Sequence, residues 1–149
     1  MQNERHADDS RTAQAKVLFV SPAGLDRDLY VSALRQAGFA TTPAETTAAA
    51  ARWLEEAAGL DVVVVDLLPE PEDAWALIAR GCAHPARIPV MVFTSLIRPD
   101  GANRRRARAL GCAAFVAKPC SVRQLLDVVR RLQCGERNLE VVTYSAPEL

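Results

Sequence analysis

Asp66 closes the apolar run Val62-Val63-Val64-Val65, and two further apolar runs end at Thr94 and at Lys118. A carboxylate, a hydroxyl and an amine brought to one place suit phosphoryl chemistry: the carboxylate carries the group, the ammonium pairs with one oxygen and the hydroxyl donates to another. The C-terminal end of a buried parallel strand is also where open α/β sheets form their crevice. The first apolar run, Lys16 to Val20, leads into Ser21-Pro22, so neutral residues stand where a phosphoryl-transfer site needs acids to hold Mg²⁺. Each residue taken singly has a plainer use: Asp66 as a cap, Thr94 as a β-former, Phe115 as core and Lys118 as a surface charge.

The elements that must position these residues follow from periodicity and punctuation. Lys16 to Val20 reads as a short buried strand. Leu29, Ala33, Leu34 and Ala37 recur at helical spacing behind Asp26 as a cap, and Gly38 stops the helix. A weak strand from Phe39 to Thr42 leads to a helix over 47–58 with Ala50, Leu54 and Ala57 inward, and Asp61 to Leu67 is the strongest strand. Pro69 to Asp73 is expected to be loop, with Asp73 capping a helix from Ala74 to Arg80. Val90 to Thr94, a basic helix from Ala102 to Leu110, and Ala114 to Ala117 come next. A last helix opens on the capping box Ser121/Gln124 and turns Val122, Leu125, Leu126, Val129 and Leu132 inward. Strands alternating with helices predict an α/β fold: a flavodoxin-like, five-stranded parallel sheet in the order 2-1-3-4-5 with helices on both faces. The expected layout is a leader over 1–14, one domain over 15–135 and a frayed tail over 136–149.

Composition narrows the classes. The 149 residues are 50% hydrophobic, enough for one domain with a real core. No stretch is long and apolar enough to span a membrane, and the polar start MQNERHADDS lacks the apolar centre of a secretory signal, so a cytoplasmic protein is expected. Cys82, Cys112, Cys120 and Cys134 form no C-x-x-C pair, and His6 and His84 have no companion at ligand spacing, so no metal site is expected. A nucleophilic Cys120 beside Lys118 lacks a nearby histidine base, and a buried thiol is the simpler reading. Residues 1–96 hold 8 Lys/Arg against 13 Asp/Glu, and residues 97–149 hold 10 against 5. The basic excess has no interleaved aromatics, which favours a solvated helix face or a face for an acidic protein over nucleic acid.

With these pieces in order, about Ala15 to Gln133 resembles the CheY-like receiver domain of bacterial two-component response regulators. The carriers of the resemblance are Asp66-Leu67-Leu68-Pro69, Phe93-Thr94-Ser95 and Phe115-Val116-Ala117-Lys118-Pro119. It implies that Asp66 is the phosphoacceptor for a histidine kinase, that Thr94 turns toward the phosphoryl group, that Phe115 swings inward with it, and that Lys118 contacts phosphate ahead of a cis-prolyl turn at Pro119. The family also carries two acids just after the first strand, and here Ser21 and Pro22 occupy those positions. Asp26 and Asp28 lie too far along to replace them simply, while Glu70, Glu72 and Asp73 would have to lean in from the loop after Asp66.

The expected function is therefore an atypical, stand-alone receiver that works as a protein-interaction module, with Mg²⁺-dependent phosphorylation weak or absent. No cofactor and no enzymatic activity are expected. The resemblance implies a signalling protein or histidine kinase as partner, or a homodimer, through the fourth helix, fifth strand and fifth helix, where Arg104, Arg105, Arg108, Arg123 and Arg130 lie. Neither nucleic acid nor membrane is expected as a partner. The alternative is a conventional single-domain response regulator that accepts phosphate on Asp66. A flavin or nucleotide enzyme is disfavoured because Ser21-Pro22-Ala23-Gly24 offers a phosphate only one glycine and one hydroxyl.

Overall fold

A computed structural model of the chain describes residues 15–56, 59–95 and 100–142. Its elements are β1 (Lys16–Val20), α1 (Leu25–Gln36), β2 (Ala40–Ala44), α2 (Thr47–Glu56), β3 (Leu60–Val65), α3 (Pro71–Cys82), β4 (Val90–Thr94), α4 (Ala102–Leu110), β5 (Ala114–Ala117), α5 (Val122–Gln133) and β6 (Leu139–Val141). The strands form one sheet in the order β2-β1-β3-β4-β5-β6, with every neighbouring pair parallel. The leader over 1–14, Ala57 and Tyr144 lie outside the described residues. Among the described residues no helix is long and apolar enough to cross a membrane.

Alternation along β3 divides the core in two. Val62 and Val64 pack with Tyr30, Val31 and Leu34 of α1 and Leu125, Val129 and Leu132 of α5. Val63 and Val65 face the other way, onto Leu54 of α2, Leu77 and Ile78 of α3 and Ala107 of α4. A strand buried on both faces must be apolar at every position, which is why the valine run marks the centre of the sheet. At the opposite extreme, β2 is an edge strand and tolerates Pro43.

Four features depart from the sequence expectation. In α1 the inward face is Tyr30, Val31 and Leu34, while Leu29 is 56% exposed. Asp26 lies within the first turn and makes no cap; Gly24 holds that position. The third helix begins at Pro71, with Glu70 ahead of it and Asp73 inside, since proline at the first helical position gives up only an N–H that has no intrahelical partner.

The fourth departure corrects the architecture: the sheet has six strands, and β6 falls within residues expected as tail. Gly135 (φ 101°) and Asn138 (φ 63°) turn the chain back after α5. Leu139 N then donates to Ala113 O at 3.0 Å, and Leu139, Glu140 and Val141 pair with Ala114, Phe115 and Val116. Leu139 and Val141 pack against the core, giving this segment the apolar contact that a frayed end lacks.

Candidate functional site

Sheet register assembles the crevice. Asp66 N donates to Val20 O at 2.9 Å, placing Ser21 beside Asp66, and Lys118 N donates to Thr94 O at 2.8 Å, placing the lysine beside the threonine. Ser21, Asp66, Thr94 and Lys118 thus share the C-terminal edge of the parallel sheet, where strand ends form a crevice. All four are residues that the sequence expectation set at strand ends.

Asp66 is 7% exposed, and both of its oxygens are engaged. Oδ1 accepts from Leu68 N at 3.0 Å. Oδ2 accepts from Lys118 Nζ at 2.8 Å and lies 3.4 Å from the Ser21 hydroxyl, a long contact. Lys118 also reaches Asp26 Oδ2 at 3.2 Å, so an acid of α1 enters the site across the ammonium. Burial alone would lower the lysine pKa, but the hydrogen bonds and negative charge of Asp66 and Asp26 outweigh it and hold the ammonium above its ordinary value.

Residues that sequence reasoning missed hold Lys118 from beneath. Its Nζ sits 5.2 Å from the centroid of the Phe93 ring. Phe93 in turn meets Tyr30 edge to face at 4.9 Å and Phe19 at 6.0 Å. The Tyr30 hydroxyl donates to Cys120 O at 2.6 Å, tying α1 to the turn after β5. Asp26 and Tyr30 are four residues apart on one helix, and that spacing was the available signal. The peptide bonds Lys118–Pro119 and Leu68–Pro69 are both cis.

Thr94 is fully buried and Phe115 is 4% exposed. Phe115 lies inward beneath α4 and β6, in a small cavity wall shared with Arg104, Arg108, Leu139 and Glu140. Burial pushes the Cys120 thiol up, opposite to the need of a nucleophile, and its Sγ donates to Ser121 O. His84 is half-buried and accepts from Ala86 N through Nδ1, leaving Nε2 to donate to Leu54 O at 3.2 Å.

The resemblance implies Mg²⁺, a hard cation that demands near-octahedral oxygen ligands. Among the described residues the side chains contacting Asp66 are an ammonium and a hydroxyl, Asp26 reaches the site through Lys118, and Pro22 offers no side-chain donor. Glu72 is turned to Arg106 of α4 at 3.3 Å, Asp28 contacts Arg27, and Glu70 and Asp73 are exposed around the start of α3. Among the described residues no three His, Cys, Asp or Glu side chains gather as metal ligands. This donor set does not suit Mg²⁺.

The expected arginine face is altered. Arg104, Arg105, Arg123 and Arg130 are exposed on α4 and α5, but the Arg108 guanidinium pairs with Glu140 of β6. The edge of β5 that was to join this face is occupied by β6. The arginines of α4 and α5 flank the covered edge from the two opposite faces of the sheet.

Neither a protein-family profile nor a curated protein sequence matches the chain. Solved structures do match. A response regulator from Thermotoga maritima is 23% identical with a TM-score of 0.69, over 81% of this chain and 99% of that one. A CheY-like receiver domain protein from Methanospirillum hungatei is 17% identical with a TM-score of 0.73, over 81% and 94%. A response regulator receiver domain from Francisella is 21% identical with a TM-score of 0.72, over 81% and 98%. The chain has the fold of CheY-like response regulator receiver domains, extended here by β6.

Proposed function

We propose that this chain is an atypical receiver of two-component signalling that acts as a protein-interaction module, with Asp66 serving as a structural partner of Lys118. The observation that carries this reading is the 2.8 Å contact of Lys118 Nζ with Asp66 Oδ2 in a crevice where Ser21 and Pro22 take the place of acids. Phosphoryl transfer depends on positioning and on charge stabilisation by metal and cationic groups. Among the described residues, charge relief would rest on Lys118, already shared with Asp66 and Asp26. We further infer no catalytic turnover and no requirement for Mg²⁺ or another cofactor.

The partner in this reading is a signalling protein or a histidine kinase that meets the exposed arginines of α4 and α5. A homodimer through the fifth strand, as the resemblance implied, would require β6 to leave first. The alternative, a conventional phosphoacceptor, draws on the same Asp66–Lys118 contact, on buried Thr94 beside Lys118 and on buried Phe115 beneath α4.

Incubation with acetyl phosphate in Mg²⁺, followed by intact-mass measurement, tests the reading. The expected result is an unmodified chain with no stable beryllofluoride adduct. A stoichiometric adduct that disappears in Asp66→Asn would establish the alternative instead.

A further inference from the structure

Two cysteines far apart in sequence meet in space. Cys82 is the last residue of α3, and Cys112 lies between Gly111 and β5; their Sγ atoms are 3.7 Å apart across a separation of 30 residues. Both are free thiols, Cys82 half-buried and Cys112 buried. A disulfide needs the sulfurs at about 2.0 Å, so closure requires a short approach. Each cysteine stands where chain ends can supply it: Cys82 precedes the loop 83–89, and Cys112 follows the left-handed Gly111 (φ 92°).

We propose that Cys82 and Cys112 form a peroxide-sensitive dithiol that closes to an intramolecular disulfide. The two thiols are unequal. The contact with Cys112 holds the Cys82 thiol below its ordinary pKa despite burial, while the same contact and burial push Cys112 upward. Cys82, half-buried and so the more accessible of the two, is the attacking thiol, and buried Cys112 is the resolving one. The Cys82 sulfur attacks one peroxide oxygen, the S–O bond forms, the O–O bond breaks, and hydroxide leaves with a proton as water. The Cys112 sulfur then attacks the sulfenic sulfur, the S–S bond forms, and the hydroxyl leaves as a second water with the Cys112 proton. Two thiols and one hydrogen peroxide yield one disulfide and two waters.

The bond would staple the end of α3 to the junction of α4 and β5, the strand that carries Phe115 and leads into Lys118. It does not depend on whether Asp66 accepts phosphate. Cys120 is buried with its thiol raised, and Cys134 is exposed.

The test uses the full chain carrying Cys134→Ser. Treatment with hydrogen peroxide should lower the intact mass by two hydrogens, remove two alkylatable thiols, and yield a peptide linking residues 82 and 112 that dithiothreitol releases. Cys112→Ser should stop the reaction at a Cys82 sulfenic acid captured by dimedone, and Cys82→Ser should abolish the mass loss. If a variant fails to fold, titration of the Cys134→Ser chain in glutathione redox buffer reads the pair directly, both thiols leaving in one two-electron transition. Retention of both thiols, separate mixed disulfides at each, or a Cys82 product unchanged by removal of Cys112 would overturn the proposal.

Discussion

At Lys118 burial and charge oppose each other, and charge wins. The side chain is 14% exposed and the Asp66 side chain 6%, so the pair works in a poorly hydrated setting where removing Lys118 strips Asp66 of its counter-charge, while removing Asp66 leaves Lys118 with Asp26. Asp66→Asn keeps an acceptor for Leu68 N but withdraws the charge, and it should cost about 1–3 kcal/mol of stability. Urea unfolding of parent and variant checks the cost. The raised lysine pKa also fixes a sign: the folded state holds the proton more tightly, so the stabilisation is complete below the unfolded lysine value of about 10.4 and is lost as pH rises through the higher folded value. The stability gap between the parent and Lys118→Met should therefore stay constant from about pH 7 to 10 and shrink above that range. A gap that changes between pH 7 and 9 would show that another group governs it.

Among the elements, β6 changes what the fold can do. It covers the edge of β5, and an uncovered edge presents unpaired N–H and C=O groups to any strand that arrives. Removal of residues 136–149 should speed amide exchange along β5 and turn the chain into a concentration-dependent oligomer, both readable by hydrogen exchange and sedimentation. A truncated chain that stays monomeric, with β5 protected, would show that β6 only decorates the edge. This strand also marks the limit of reading from sequence. The central strands were legible because burial on both faces forces an unbroken apolar run, as at Val62 to Val65. Leu139 to Val141 is only half-buried, and Glu140 interrupts it, so neither length nor alternation separates it from a loose end. The crevice was legible where single residues close strands, at Asp66, Thr94 and Lys118. Contacts made by packing were not: Asp26 on Lys118, Phe93 beneath it, and Cys82 against Cys112 each join elements whose approach no local pattern encodes.

For the molecule as a whole, strand order converts a sequence asymmetry into a spatial one. The half rich in acids, residues 1–96, builds β2, β1, β3 and β4, while the half with 10 Lys/Arg against 5 Asp/Glu supplies β5, β6, α4 and α5 at one end of the sheet. Part of the contrast is neutralised at the seam, where Arg106 stacks 4.7 Å from the Trp75 ring and pairs with Glu72, and where Lys118 meets Asp66. The exposed arginines of α4 and α5 lie beyond that seam, and their natural complement is an acidic surface, including the first half of another copy. Such attraction speeds and orients encounter, and it weakens once the screening length falls to about 8 Å near physiological salt. Self-association or partner capture should thus be strong at about 20 mM salt and largely lost at about 300 mM. Arg104→Glu with Arg105→Glu should weaken it at low salt and flatten the salt dependence, whereas Asp66→Asn should leave both nearly unchanged. Sedimentation velocity across a salt series measures this directly. Association abolished by Asp66→Asn and untouched by the arginine changes would move the signalling surface from the basic end of the sheet to the crevice.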